Sequence, residues 1–226
     1  MKQMGDDETM TQLTDAREIF KAAYENRYTW DDQFPGYAAT VEFRQGDQAY
    51  TGKIKVSPDF QIEVTDVEGE EVRTILQRQT QEVITHRRRT AFEKAHGKNS
   101  FSLGKTDATG AVEILVQGDA MGSNYQVRDR EISQVSRVMN KMAFTIDHKG
   151  SLKTEQGYIS THYDVVFRNA ETQGLMSEMS VENTYEKVGA YYLLTHQVVR
   201  HQEPETPPVT DEFKFSQVRL LEPALA

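Results

Sequence analysis

Two hydrophobic periods divide the chain. From Gln12 to Tyr28 the apolar positions Ala16, Ile19, Phe20, Ala23 and Tyr24 recur at i, i+3, i+4, i+7 and i+8, the spacing of one face of an amphipathic helix. Thr14 is the expected N-cap, and Asp15 and Glu18 in the first turn suit the helix dipole. A second helix is expected over Gly69 to Arg89, with Val72, Ile75, Leu76, Gln79 and Val83 on one stripe and charges elsewhere. Between the two, Pro35-Gly36 closes the helical regime and opens a different one.

That second regime has period 2. Thr40 to Arg44, Lys53 to Ser57 and Gln61 to Thr65 alternate apolar with polar, as half-buried antiparallel strands do. The texture resumes in Ala111–Gln117, Tyr125–Asp129, Ile132–Val138, Ala143–His148, Tyr158–Arg168, Leu175–Lys187, Tyr191–His201 and Glu212–Leu220. Links such as His148-Lys149-Gly150-Ser151 and Val188-Gly189 read as turns. Strands joined without intervening helices must pair antiparallel, since a parallel pair needs a crossover of about a dozen residues. The expected fold class is therefore α+β and mostly β: a long curved antiparallel sheet, a half-barrel or open barrel, with two main helices packed on one face. Residues 12–222 are expected to form a single domain between tails at 1–11 and 223–226. Glu203 to Pro208 holds three prolines in six residues and is expected to be a loop, because proline cannot join the interior of a sheet. Arg87 to Asp107, with apolar residues scattered among charges, reads as a loop or broken helix.

Charge and composition narrow the function classes. The 226 residues carry 26 Lys+Arg against 35 Asp+Glu, a net charge of −9, and no cysteine. Disulfide scaffolds, thiol nucleophiles and cysteine-held metals are thereby excluded. An acidic chain also lacks the cationic surface that coats nucleic acid or anionic lipid. No stretch approaches the roughly 20 apolar residues of a membrane span, and the opening MKQMGDDETMT has no apolar signal core. A cytoplasmic location is the resulting expectation.

No catalytic motif stands out. GxGxxG, GxxxxGK[ST] and GxSxG are absent, and Gly118 to Ser123 reads as a hairpin turn. The six histidines form neither HxH nor HExxH. His196 and His201, five apart, face opposite sides of a strand, so no metal site and no cofactor are expected. His162 and His196 lie on strands whose order the sequence leaves open. Paired carboxylates are uninformative among 35 acids, and Glu70-Glu71 suit a helix start. The concentrated basic feature is Arg87-Arg88-Arg89. At a helix C-terminus it is stabilised by the dipole, and guanidinium geometry also suits it to an acidic partner, a phosphate or a lipid head group. Trp30, the only tryptophan, sits among Tyr28, Phe34 and Tyr37, a cluster that reads first as a core cap. Tyr191-Tyr192 send one ring to each face of a strand. The candidate binding residues are thus Arg87, Arg88, Arg89, Trp30, His162, Tyr192 and His196.

The run Ala16 to Trp30, then Phe34-Pro35-Gly36-Tyr37, and later Glu182 to Leu193, resembles an uncharacterised family of about this length from cyanobacteria and plastids. The likeness covers about residues 12 to 221 and implies no activity. The order helix, three strands, helix, long strand series also resembles the half-barrel of the periplasmic lipoprotein carrier, which wraps a curved sheet around an apolar hollow. From these readings the leading expectation is a non-enzymatic binding protein holding an apolar or amphiphilic small molecule, such as a lipid or pigment. The alternatives are an assembly factor that contacts a protein partner of the photosynthetic apparatus through the arginines and a sheet edge, and an enzyme with a His/Tyr site.

Overall fold

The computed structural model describes residues 16–118 and 123–222. The expected cap at Thr14, the two expected tails and the middle of the Gly118–Ser123 turn lie outside the described residues.

Helix α1 occupies residues 16–25, followed by strands β1 (Tyr37–Gln45), β2 (Gln48–Val56) and β3 (Ile62–Thr65). Helices α2 (Glu70–Arg87) and α3 (Phe92–His96) come next. The remaining strands are β4 (Ser100–Thr106), β5 (Val112–Gln117), β6 (Ser123–Arg128), β7 (Glu131–Met139), β8 (Met142–Thr154), β9 (Gly157–Asn169), β10 (Leu175–Val188), β11 (Tyr191–Gln202) and β12 (Val209–Leu220). Hydrogen bonding runs in the order β3-β2-β1-β12-β11-β10-β9-β8-β7-β6-β5-β4. The expected class, mostly β with an antiparallel sheet that stays open, is what forms; its edge strands are β3 and β4. Glu203 to Pro208 is the expected loop, and the chain returns after it as β12, paired to β1 and β11.

Two readings are corrected. The stretch Arg87–Asp107 is neither loop nor broken helix throughout: it contains α3 and the edge strand β4, whose Phe101 is buried. Its strand signal is hidden because Gly104 and Lys105 interrupt the alternation. His148 to Ser151 is no turn either. It lies within β8, where register shifts at His148/Gly150 and Gly150/Ser151 absorb the irregularity as bulges.

The described chain divides into two compact units. One holds the chain up to Tyr28 together with Thr90–Met179; the other holds Thr29–Arg89 and the chain from Ser180 onward. In the first, the apolar stripe of α1 packs on the sheet as its spacing predicts. Ala16, Phe20 and Ala23 are fully buried among Phe92, Phe101, Ile114, Val116, Tyr125, Val127 and Ile132. The Phe20 ring lies 4.4 Å from that of Tyr125 and 5.5 Å from that of Phe101. Burying a side chain of this size contributes about 1.5–3 kcal/mol. Arg17 donates twice to the Glu93 carboxylate, at 2.7 and 2.8 Å, tying α1 to α3. The end of α1 is clamped to β9: Tyr158 N–H donates to Asn26 O at 2.9 Å, and Tyr28 N–H to Tyr158 O at 2.8 Å.

In the second unit, Val72, Leu76, Val83 and Ile84 of α2 are buried. The helix approaches β2 closely at Gly52, where an added Cβ would stand 3.1 Å from Val67 Cβ and 3.4 Å from Leu76 Cδ1. Val41, Phe43, Ile54, Val56, Phe213 and Phe215 supply the sheet's buried face. Phe43 and Phe213 are register partners with rings stacked 4.8 Å apart. No described helix is long and apolar enough to cross a membrane.

Candidate functional site

Several residues singled out in the sequence do come together, in the second unit. Where α2 ends, the Arg87 carbonyl accepts the Trp30 amide at 2.7 Å, and Trp30 Nε1 donates to the Tyr192 carbonyl at 3.2 Å. The indole stacks on Phe34, with centroids 4.1 Å apart and planes 10° apart, and lies parallel to Phe60 at 6.3 Å. The Arg88 guanidinium stands over the outer Phe60 ring at 5.5 Å. Tyr191 meets Phe34 edge-on and donates its hydroxyl to Asp31 at 2.8 Å. Trp30 is 1% exposed and Phe34 3%, so the tryptophan is a core residue and offers no surface to a ligand.

The three arginines separate by environment. Arg87 is buried, its guanidinium 5.4 Å from the Tyr185 ring, whereas Arg88 and Arg89 are exposed. Nearby Tyr37 is buried, and burial together with Tyr185 pushes its phenol well above the usual range, so it stays protonated.

His196 is elsewhere in this unit, 2.8 Å from Glu212, whose carboxyl Lys214 and His196 hold below the usual range. His201 reaches Asp211 at 3.3 Å from the opposite face of β11. The two histidines therefore have separate carboxylate partners. His162 belongs to the first unit, 3.7 Å from Asp164. Among the described residues, no group of three or more metal-ligating side chains forms.

The first unit holds a second arrangement, built from strand register. Tyr125 pairs with Val135, Val135 with Ile146, and Ile146 with Val165. In the next row Ser123 pairs with Arg137, Arg137 with Phe144, and Phe144 with Phe167. Met139 and Met142 follow at the hairpin end. Because side chains alternate along a strand, all of these share the face on which Tyr125 meets Phe20 of α1. Val165 is buried, but Val135, Met142, Phe144, Ile146 and Phe167 are only half-buried, and Met139 is 50% exposed. From Val135 to Met139 this strip runs about 14 Å along β7. At its open end the β7–β8 and β9–β10 tips lie side by side, joined by Ala170 N–H to Lys141 O at 2.9 Å, and present exposed Leu175 and Met176.

Within the strip sits one cation. Arg137 Nε donates to the buried Ser123 hydroxyl at 2.8 Å, and Nη2 reaches the Tyr125 hydroxyl at 3.4 Å. Sequence reasoning missed Arg137, although Val135 and Arg137 stand two apart in the expected strand Ile132–Val138. That parity was the available signal. The aromatic partners depended on a register that the sequence does not display.

His96 lies at the covered end of the same unit, 5.1 Å from the Phe20 ring and 5.0 Å from that of Tyr24, with Asn99 at 3.2 Å from its Nδ1. Burial, then the charges of Arg27 and Arg137, lower its pKa to about 4, so it is neutral at pH 7. A groove of about 470 Å³ beside α1 is lined by Glu18, Lys21, Glu25, Asn26, Arg130 and Glu155. Its walls are polar and charged, unlike the apolar hollow expected from the sequence.

The architecture is an open antiparallel sheet that carries a half-covered apolar strip. The chain belongs to the family described as protein of unknown function (DUF3386), whose model matches residues 11–221. No curated protein matches it. Among solved structures it is similar to a DUF1329 family protein from Desulfovibrio piger, at 9% identity and TM-score 0.28 over 95% of each chain. It is also similar to a LolA superfamily protein from Nitrosomonas europaea, at 8% identity and TM-score 0.31 over 92% of this chain and 94% of that one. A third likeness is to the complex of MucA and MucB from Pseudomonas aeruginosa, at 10% identity and TM-score 0.25, covering 92% and 99%.

Proposed function

We propose that the protein is a non-catalytic carrier or sequestering protein for an apolar or amphiphilic small molecule of lipid type, bound along the strip on β7, β8 and β9. The observation that carries this reading is the incomplete burial of Phe144, Ile146, Phe167 and Met142 on the face whose neighbouring part is sealed by α1. Apolar side chains left half in water favour an apolar ligand by about 25 cal/mol for each Å² they cover. The exposed Met139, Leu175 and Met176 at the hairpin tips supply an apolar rim at which a chain can enter. Methionine adapts its shape to such a ligand.

Titration with decanol and with decanoate tests the reading. Saturable, stoichiometric binding of at least one is expected, weakened in Ile146→Ser and Phe144→Ser variants whose circular dichroism is unchanged. Absence of saturable binding by either probe overturns it.

A second reading, docking of an acidic protein partner, is favoured by the exposed pair Arg88 and Arg89 beside the half-buried Phe60. It predicts a partner in native lysate that is lost in the Arg88→Gln/Arg89→Gln variant and is indifferent to Ile146→Ser.

A further inference from the structure

We propose that Arg137 is the head-group anchor of the strip, so that the ligand is a single-chain amphiphile carrying an anionic head, a carboxylate or phosphate, with its chain along Phe144, Ile146 and Phe167. This rests on the amphiphile-binding reading above and adds the charge of the ligand to it.

The first support is the missing counter-charge. Arg17, Arg44, Arg73, Arg128 and Arg200 each reach a carboxylate within 4.0 Å; Arg78, Arg88, Arg89, Arg130, Arg168 and Arg219 reach none among the described residues but are exposed to water, whereas Arg137 is half-buried. Arg137 reaches none among the described residues, in a chain with 35 acidic residues. Its two protein acceptors are the neutral hydroxyls of Ser123 and Tyr125. A half-buried cation without an opposing charge keeps its desolvation cost uncompensated, and an anionic ligand removes that cost.

The second support is geometry. Ser123 takes the Nε proton and Tyr125 one Nη2 proton. The end-on edge of the guanidinium, with one N–H from each Nη, has no protein acceptor among the described residues. That fork matches a carboxylate or phosphate through two parallel hydrogen bonds. Ser123 and Tyr125 are both buried, so they hold the fork at a fixed angle. Arg137 is also the register partner of Phe144, which sets head and chain sites side by side.

The third support is the field around the site. Arg27, whose Nε donates to the Tyr24 carbonyl, likewise reaches no carboxylate among the described residues. After burial, which is the larger cause, its charge and that of Arg137 both disfavour a proton on His96. Two arginines without a carboxylate partner among the described residues thus act on the same imidazole, in a chain of net charge −9.

Matched probes decide the question. Decanoate is expected to bind the wild-type protein at least about tenfold more tightly than decanol, the preference falling as salt rises. Arg137→Gln should abolish that preference while leaving decanol affinity unchanged, and Arg137→Lys, which keeps charge but loses the fork, should retain part of it. Equal affinity of the wild-type protein for the two probes overturns the anchor but leaves the amphiphile reading intact, and needs no variant to fold. Failure of both probes to bind overturns both. Displacement of decanoate by inorganic phosphate at equal concentration also overturns the anchor, because it identifies a free-anion site rather than a head-group site.

Discussion

The Trp30 amide donates to the carbonyl of Arg87 at 2.7 Å, so the residue that ends α2 is held by the backbone of the segment that follows α1. This bond satisfies one of the carbonyls that a helix C-terminus leaves without an internal partner. It also gives the arginine run unequal roles. Arg87 is buried over Tyr185, while Arg88 and Arg89 face water. Arg87→Ala is therefore expected to destabilise the protein by about 2 kcal/mol through lost packing and the lost contact with the Tyr185 ring. Arg88→Ala and Arg89→Ala should each change stability by less than about 0.5 kcal/mol. Urea unfolding of the three single variants checks the order; equal effects would contradict it.

Trp30 reports on the same junction. Stacked on Phe34 at 4.1 Å and 1% exposed, it should emit at the blue end of the tryptophan range and shift red on unfolding. As the only tryptophan, it makes the signal unambiguous. Trp30→Ala leaves a cavity beneath two parallel rings and is expected to cost about 3–5 kcal/mol, with Trp30→Phe costing distinctly less. Emission at the wavelength of free indole in the folded protein would show that the ring is not packed.

Most of the sheet was legible because alternation is local: the antiparallel strands from β5 to β12 fall where period-2 runs stand. The features that escaped depend on tertiary context. Edge strand β4 carries Gly104 and Lys105, and its membership is settled by Phe101 packing against Phe20. Gly150 looks like a turn in the sequence, yet its φ is not positive and it lies within β8 at a register shift. For the site, the sequence brought out conspicuous residues, and of these Trp30, Arg87, Arg88 and Tyr192 do converge. Trp30 and Arg87 are buried there, whereas Arg88 is exposed. Arg137, by contrast, looks ordinary in the run Ile132 to Val138. Its significance appears only when register places it between Ser123 and Phe144.

Gly157 is expected to be intolerant of a side chain. Its φ is +125°, and an added Cβ would stand 2.2 Å from the Asn26 carbonyl oxygen, the acceptor of Tyr158 N–H. Gly157→Ala must break the clamp between α1 and β9 or strain it, a loss of about 2–3 kcal/mol. Gly46 has φ +58° with open space around it, so Gly46→Ala is expected to cost only about 1 kcal/mol. Denaturant midpoints of the pair separate steric closure from backbone preference, and similar losses would refute the clamp.

His96 should give the protein a specific acid sensitivity. Its pKa is lowered to about 4 in the folded state, against about 6.5 for a free imidazole, so between those values the unfolded chain binds the extra proton. The linkage relation then requires stability to rise with pH across that interval. The contribution is complete above about pH 6.5 and is lost as pH falls toward 4. His96 remains partly accessible, so the loss is discounted to the order of 1–2 kcal/mol. Replacing it with glutamine removes the titrating group while keeping a side chain able to hydrogen-bond Asn99. Urea midpoints measured at pH 7 and pH 5 should therefore differ more for the wild-type protein than for His96→Gln. The same slope in both would place the titration elsewhere and would mean that burial and the nearby charges do not hold this imidazole neutral.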